Sequence, residues 1–120
     1  RNSRDAPATF SVEMRDWSER QYRTGPILLF QRDGRLRVGR DRYVPYELGQ
    51  WYHVQIDFEL GEGAPKTYEF TFAPKGNEAG PAIIPFTDDR FNVLTWFGLL
   101  AMDRNRHAVF CIDNLEADVE

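Results

Sequence analysis

The sequence predicts an all-β chain, an antiparallel β-sandwich of seven or eight strands. Three observations predict it. Several stretches alternate apolar and polar residues with a period of two, turn signals recur about every 8–12 residues, and no stretch keeps a helical period over three turns. A chain of 120 residues makes one such domain, residues 1–120, because a core of this size buries about two thirds of the surface exposed in the unfolded chain.

The first strand is residues 8–15, in which Phe10, Val12 and Met14 alternate with Ser11, Glu13 and Arg15. Residues 16–25 keep neither period and close on Gly25-Pro26, so they read as a loop. Pro26 to Gln31 is a short apolar run, and Asp33-Gly34 separates it from Leu36 and Val38. That dipeptide is a hairpin signal for a type I′ turn, whose two central residues both need positive φ. Residues 39–49 read as a polar and aromatic connection. Trp51 to Leu60 then puts Val54, Ile56, Phe58 and Leu60 on one face, with Gln55, Asp57 and Glu59 on the other. Past the turn at residues 61–66, Tyr68, Phe70 and Phe72 share a side and complete a second hairpin. Residues 73–82 form a Gly/Pro/Ala-rich loop, followed by a short strand from Ile83 to Phe86 and a turn at residues 87–90. Val93 to Met102 is apolar on both faces and therefore reads as a central, doubly covered strand. A turn at 103–106 leads to a last strand, His107 to Val119.

Hydrophobic residues make up 42% of the chain and aromatics 14%, well above the content of a disordered segment. No apolar run approaches the roughly 20 residues that span a bilayer, so no membrane insertion is expected. The net charge of -4 hides an asymmetry: residues 1–42 hold ten Arg against six acids, while residues 43–120 hold five basic residues against thirteen acids. The Arg residues are interspersed with Asp and Glu, and the pI is about 5.2, which argues against nucleic acid as a partner. Cys111 is the single cysteine and reads as a small buried hydrophobe. The chain opens on Arg1, which reads as a processed or excised product, with room for targeting information in missing upstream sequence.

Three stretches, FSVEMRD to GPILLFQRDGRLRV, LGQWYHVQIDFELGEG to KTYEFTF, and IIPFTDDRFNVLTWFGLL to HAVFCIDNLEADV, together resemble the concanavalin A-like, laminin-G-like jelly rolls of lectins, glucanases and accessory modules of bacterial proteins. In particular, Gly49-Gln50-Trp51-Tyr52 looks like the family's strand-opening motif, and Ile112-Asp113-Asn114-Leu115 like its closing strand. The resemblance implies an exported protein, extracellular or periplasmic, and a rim that holds calcium in many members. It also implies that Asp113 and Asn114 tie the last strand to neighbouring loops. Family members usually carry one or two strands before the position of Phe10, so a dimer mate or an upstream segment is expected to cover a sheet edge.

Aromatics supply the candidate carbohydrate-binding surface: Trp17, Arg20 and Tyr22 in one loop, and Arg42, Tyr43 and Tyr46 in another. Sugar faces stack on exposed rings while Arg hydrogen-bonds hydroxyls. The same residues equally suit packing beneath the loops, with Arg–Tyr cation–π contacts. Trp51 and Trp96 fall within strands and read as core. Candidate calcium ligands are Asp88 and Asp89 in one turn, and Asp103 and Asn105 in another, although Asp and Asn also favour turns for local hydrogen bonding.

The carboxylate pattern of a retaining glucanase, with acids on one face about 5–5.5 Å apart, is missing. Glu13, Asp16 and Glu19 are spaced by three, whereas Asp57 and Glu59 share a face with Gln55 but read equally as a solvated surface. The two histidines, His53 and His107, have no metal-ligand spacing. Three functions follow as expectations. The first is a non-catalytic module that binds carbohydrate or packs on a neighbouring domain. The others are a glycan-active hydrolase or lyase, and a structural subunit marked by an apolar patch at the sheet edge beside residues 1–10.

Overall fold

The computed structural model describes residues 1–74, 81–104 and 107–118. Eight strands form two antiparallel sheets, a β-sandwich as the sequence predicts. They are β1 (Phe10–Asp16), β2 (Arg23–Phe30), β3 (Arg35–Val38), β4 (Arg42–Pro45), β5 (Tyr52–Asp57), β6 (Thr67–Pro74), β7 (Ala82–Pro85) and β8 (Trp96–Ala101). One sheet has the order β4-β3-β2-β1-β8, the other β5-β6-β7.

Pleating explains what each sheet buries. Phe10 pairs with Phe30, Leu28 with Val38 and Phe30 with Leu36, and directly opposed residues of an antiparallel pair point to the same side. That side meets Tyr68, Phe70 and Ile84 of the second sheet, with Phe86 and Phe91 closing one end. Aromatic rings form much of the seam: Phe10 stacks on Phe30 with centroids 4.8 Å apart, and Phe86 meets Phe91 edge-on at 5.0 Å.

The second strand begins three residues before the predicted Pro26. Proline is awkward inside a ladder, but here it lies in a bulge. Glu13 pairs with Ile27 and Arg15 with Thr24, so Gly25 and Pro26 together oppose Met14. Gly25 is required at this point, since a Cβ there would lie 2.6 Å from the Phe91 ring.

The hairpin at Asp33-Gly34 is present with a different turn. Gly34 has φ of 86° while Asp33 does not adopt positive φ, the Gly34 N–H donates to Gln31 O, and the Gln31 N–H donates to Arg35 O. This is the three-residue hairpin loop that ends in a left-handed glycine, not the two-residue I′ turn. The predicted connection at 39–49 contains β4, whose four residues are too short and too interrupted by Arg42 and Pro45 for periodicity to register.

Two larger differences concern the C-terminal third. The apolar run from Val93 yields a strand only from Trp96, and β8 ends its sheet instead of lying in the middle. Residues 107–118 hold one bridge, Asn2 to Phe110, in place of the predicted last strand. Phe110 stacks on Phe10 at 3.9 Å, whereas residues 112–118 are exposed. Asp113 accepts from the neighbouring Asn114 N–H, and among the described residues no hydrogen bond joins it to a loop. Cys111 is half-buried.

Candidate functional site

Two regions depart from what a plain sandwich surface requires. The first is the outer face of the five-stranded sheet. Ser11, Glu13 and Arg15 point away from the core, yet Ser11 and Glu13 are buried. Gly98 stands opposite Glu13, and Trp96 opposite Arg15. The Trp96 ring folds back across Gly98, so close that a Cβ there would lie 2.1 Å from it. Beneath this cover the Glu13 carboxylate accepts from Ser11 Oγ at 3.3 Å and from Arg15 at 3.0 Å. The Arg15 guanidinium lies 4.4 Å from the Trp96 ring centroid and 4.2 Å from that of Tyr22, and Tyr22 lies 4.7 Å from Trp17. Four side chains thus form one continuous stack.

Asp16 fixes the loop that bears Trp17 and Tyr22. It is 1% exposed and accepts from the backbone N–H groups of Ser18, Asn92 and Val93 and from the Ser18 hydroxyl. Burial by itself would raise its pKa, but these hydrogen bonds outweigh burial and hold it at about 2. The Trp17 N–H, meanwhile, donates to Thr95 Oγ1 at 2.7 Å.

The expected saccharide rim is only partly assembled. Trp17 and Tyr22 are adjacent and 46% and 39% exposed, and Arg20 is exposed beside them. Tyr43 is exposed on β4 with Arg35 near its ring. Tyr46 is a core residue instead, because its hydroxyl donates to Gln31 O and accepts from Asn2 Nδ2. These bonds satisfy its polar end in the interior. Trp96 and Trp51 also differ from expectation, since neither joins the core cluster. Trp96 caps the outer face, and Trp51 is half-buried with Arg1 at 4.9 Å from its ring.

Arg42 comes together with the proposed calcium ligands Asp88 and Asp89 in an open groove of about 710 Å³, lined also by Arg40, Asp41 and Ile83. Asp88 is already committed there. Its carboxylate accepts from Arg90, which with the Arg90 backbone N–H holds it below the usual carboxylate range. Asp103 accepts from the Thr9 N–H and from Arg32, and Asn105 lies outside the described residues. Among the described residues no three His, Cys, Asp or Glu side chains gather as a metal site. Asp57 and Glu69 are exposed on the outer face of the smaller sheet and Glu59 is exposed just past β5, and His53 lies 3.5 Å from Gln55 in that face.

The second region is β8 itself. Phe97 pairs with Met14 and Leu99 with Val12, so both point to the core side. They are nevertheless 40% and 38% exposed, and Met102 just past β8 and Val109 are also exposed. The outer edge of β8 pairs with no described strand. Sequence reading missed this because an apolar run on both faces does not reveal which strand will end a sheet. The Glu13–Arg15 pair was signalled by opposite charges two residues apart, and the fold of Trp96 by a glycine two residues after it. Comparison with protein-family models, with curated proteins and with solved structures finds no match.

Proposed function

We propose that this chain is a non-catalytic β-sandwich module of the jelly-roll kind that works by packing against another protein surface through β8. One observation carries the reading: β8 has the composition of a central strand and the position of an edge strand. Soluble proteins blunt their edges with charge, proline or short length, and β8 has none of these. Phe97 and Leu99 face a core that stops short of covering them, and this patch lies beside the N-terminal segment, where Met102 and Val109 donate to Thr9 and Ala6. The test is binding of anilinonaphthalene sulfonate to the native protein diluted to about 1 µM, where weak complexes dissociate. Bound dye that is lost in Leu99→Lys supports the reading. A native protein that binds no dye overturns it.

A second reading rests on the pair Trp17 and Tyr22, which present two exposed rings on a rigid base of Arg15 and Asp16. Preformed rings of this kind suit stacking on a saccharide. A glycan-array screen tests it, and binding that persists in both Trp17→Ala and Tyr22→Ala refutes it.

A further inference from the structure

Resting on the reading of β8 as a docking surface, we infer that its partner is a second copy of this chain, paired antiparallel along β8 about a two-fold axis.

The four sheet edges differ in what they admit. The β4 edge carries Arg42 and ends on Pro45, β7 lies between Pro81 and Pro85, and β5 carries His53 and Asp57. Arg42 and Pro45 interrupt the four residues of β4, His53 and Asp57 bring polar and charged groups to β5, and proline along β7 removes ladder donors. From Trp96 to Met102 there is neither charge nor proline. An uncharged strand is complementary to itself, which is the condition for an isologous two-fold contact.

Geometry narrows the register. Opposed residues of an antiparallel pair share a face, so a two-fold axis must pass through a residue and not between two. Centring on Gly98, one of the two middle residues of β8, opposes Phe97 to Leu99 of the second copy on the core side. It opposes Trp96 to Leu100 on the outer side. Each pair joins an aromatic ring to an aliphatic side chain, the combination that stabilises cross-strand contacts. The half-exposed Phe97 and Leu99 of each copy are thereby covered. Together with Met102 and its neighbours the contact buries on the order of 1,000 Å² over both copies, the size of a reversible dimer and not of an obligate one.

The experiment is sedimentation equilibrium from about 1 to 200 µM, spanning the affinities that such an area gives, on the unmodified chain and on Phe97→Asp and Leu99→Lys. Ile83→Lys serves as a control far from β8. A reversible species of twice 14.0 kDa is expected. Each single substitution on β8 should weaken it about 100-fold or more, the control should leave it unchanged, and mixing the two β8 variants should restore a dimer, since the new charges face each other across the axis. A dimer indifferent to both substitutions overturns the inference. A chain that stays monomeric and binds dye also overturns it, leaving β8 as a docking surface for a different protein. A monomer that binds no dye overturns the docking reading as well. Where a variant fails to fold by circular dichroism, hydrogen exchange on the unmodified chain decides. The amides of Phe97 and Leu99, which alternate with those bonded to β1 and so point to the free edge, should slow about 10-fold or more with rising concentration, and concentration-independent exchange refutes the dimer.

Discussion

Replacing Asp16 with Asn tests the anchor beneath the Trp17 loop. The carboxylate is buried and accepts four hydrogen bonds, three of them from backbone N–H groups. Its pKa falls from the ordinary 3.8 to about 2, which at about 1.36 kcal/mol per pH unit corresponds to roughly 2 kcal/mol of folding free energy. The sign follows from the direction. A carboxyl whose pKa is lower in the folded chain contributes fully above its unfolded value and loses that contribution as pH falls through its folded value. The amide of Asn keeps an acceptor but turns a donor toward other donors, so Asp16→Asn forfeits the charge-assisted part. Urea unfolding followed by tryptophan fluorescence should place the variant about 2 kcal/mol below the parent at pH 7, a midpoint shift of about 1 M. The two curves should approach each other below pH 4 and nearly coincide near pH 2. A difference that is the same at pH 7 and pH 2.5, or a midpoint unchanged at pH 7, would refute the argument.

Three further outcomes are expected. Gly98→Ala drives a methyl group into the Trp96 ring, and because the ring swings outward more easily than the backbone yields, stability should fall by about 1–2 kcal/mol. The lost cover should appear as a red shift of indole emission. Tyr68→Phe removes a buried hydroxyl with no hydrogen-bond partner among the described residues, its approach to the Ile27 backbone lying outside bonding geometry. Burial pushes the pKa of this phenol up to about 12. Denaturation should show a change within about 0.5 kcal/mol or a gain, and a loss above about 1.5 kcal/mol would show the hydroxyl to be satisfied. Asn2→Ala deletes a buried amide that donates to Ala8 O and Tyr46 Oη and accepts from the Ala8 N–H. It should cost about 2–4 kcal/mol by calorimetry or denaturant.

What the sequence disclosed follows the range of the forces involved. Period-two alternation in β1, β5 and β6 is local, and the faces it predicts bury Phe10, Tyr68 and Phe70 and half-bury Ile56, whereas Val54 and Leu60, read onto the same face as Ile56, are exposed. The Asp33-Gly34 hairpin was legible for the same reason, although the turn type depends on how Gln31 and Arg35 meet. Long-range facts were not legible. Nothing near Trp96 says that its strand will end a sheet, and nothing near Tyr46 says that Asn2 will receive its hydroxyl. The alternation of Leu, Phe and Trp in β8 fits a covered strand and an uncovered one alike, and only the sheet order distinguishes them. The candidate site was readable in part: Trp17 and Tyr22 stand out as loop aromatics, while the sequence signals Arg15 only by its charge opposite to Glu13 and not by its contacts with Tyr22 and Trp96.

The placement of β1 between β2 and β8 also sets an order of events during synthesis. Strands β1 to β4 are consecutive in the chain and zip as a meander as soon as they emerge. The other side of β1 waits for β8, a distance of 78 positions at the Trp17–Thr95 bond. At about 5–20 residues per second this is roughly 4–15 s of translation. Through that interval the open ladder belongs to β1, whose outward residues Glu13 and Arg15 are gatekeepers against stray pairing. When β8 arrives it closes that ladder, and the unpaired edge passes to an uncharged strand. The ladder of the waiting β1 offers a β8 from another chain the same backbone hydrogen bonds as its own, so nothing in the pairing itself distinguishes the two.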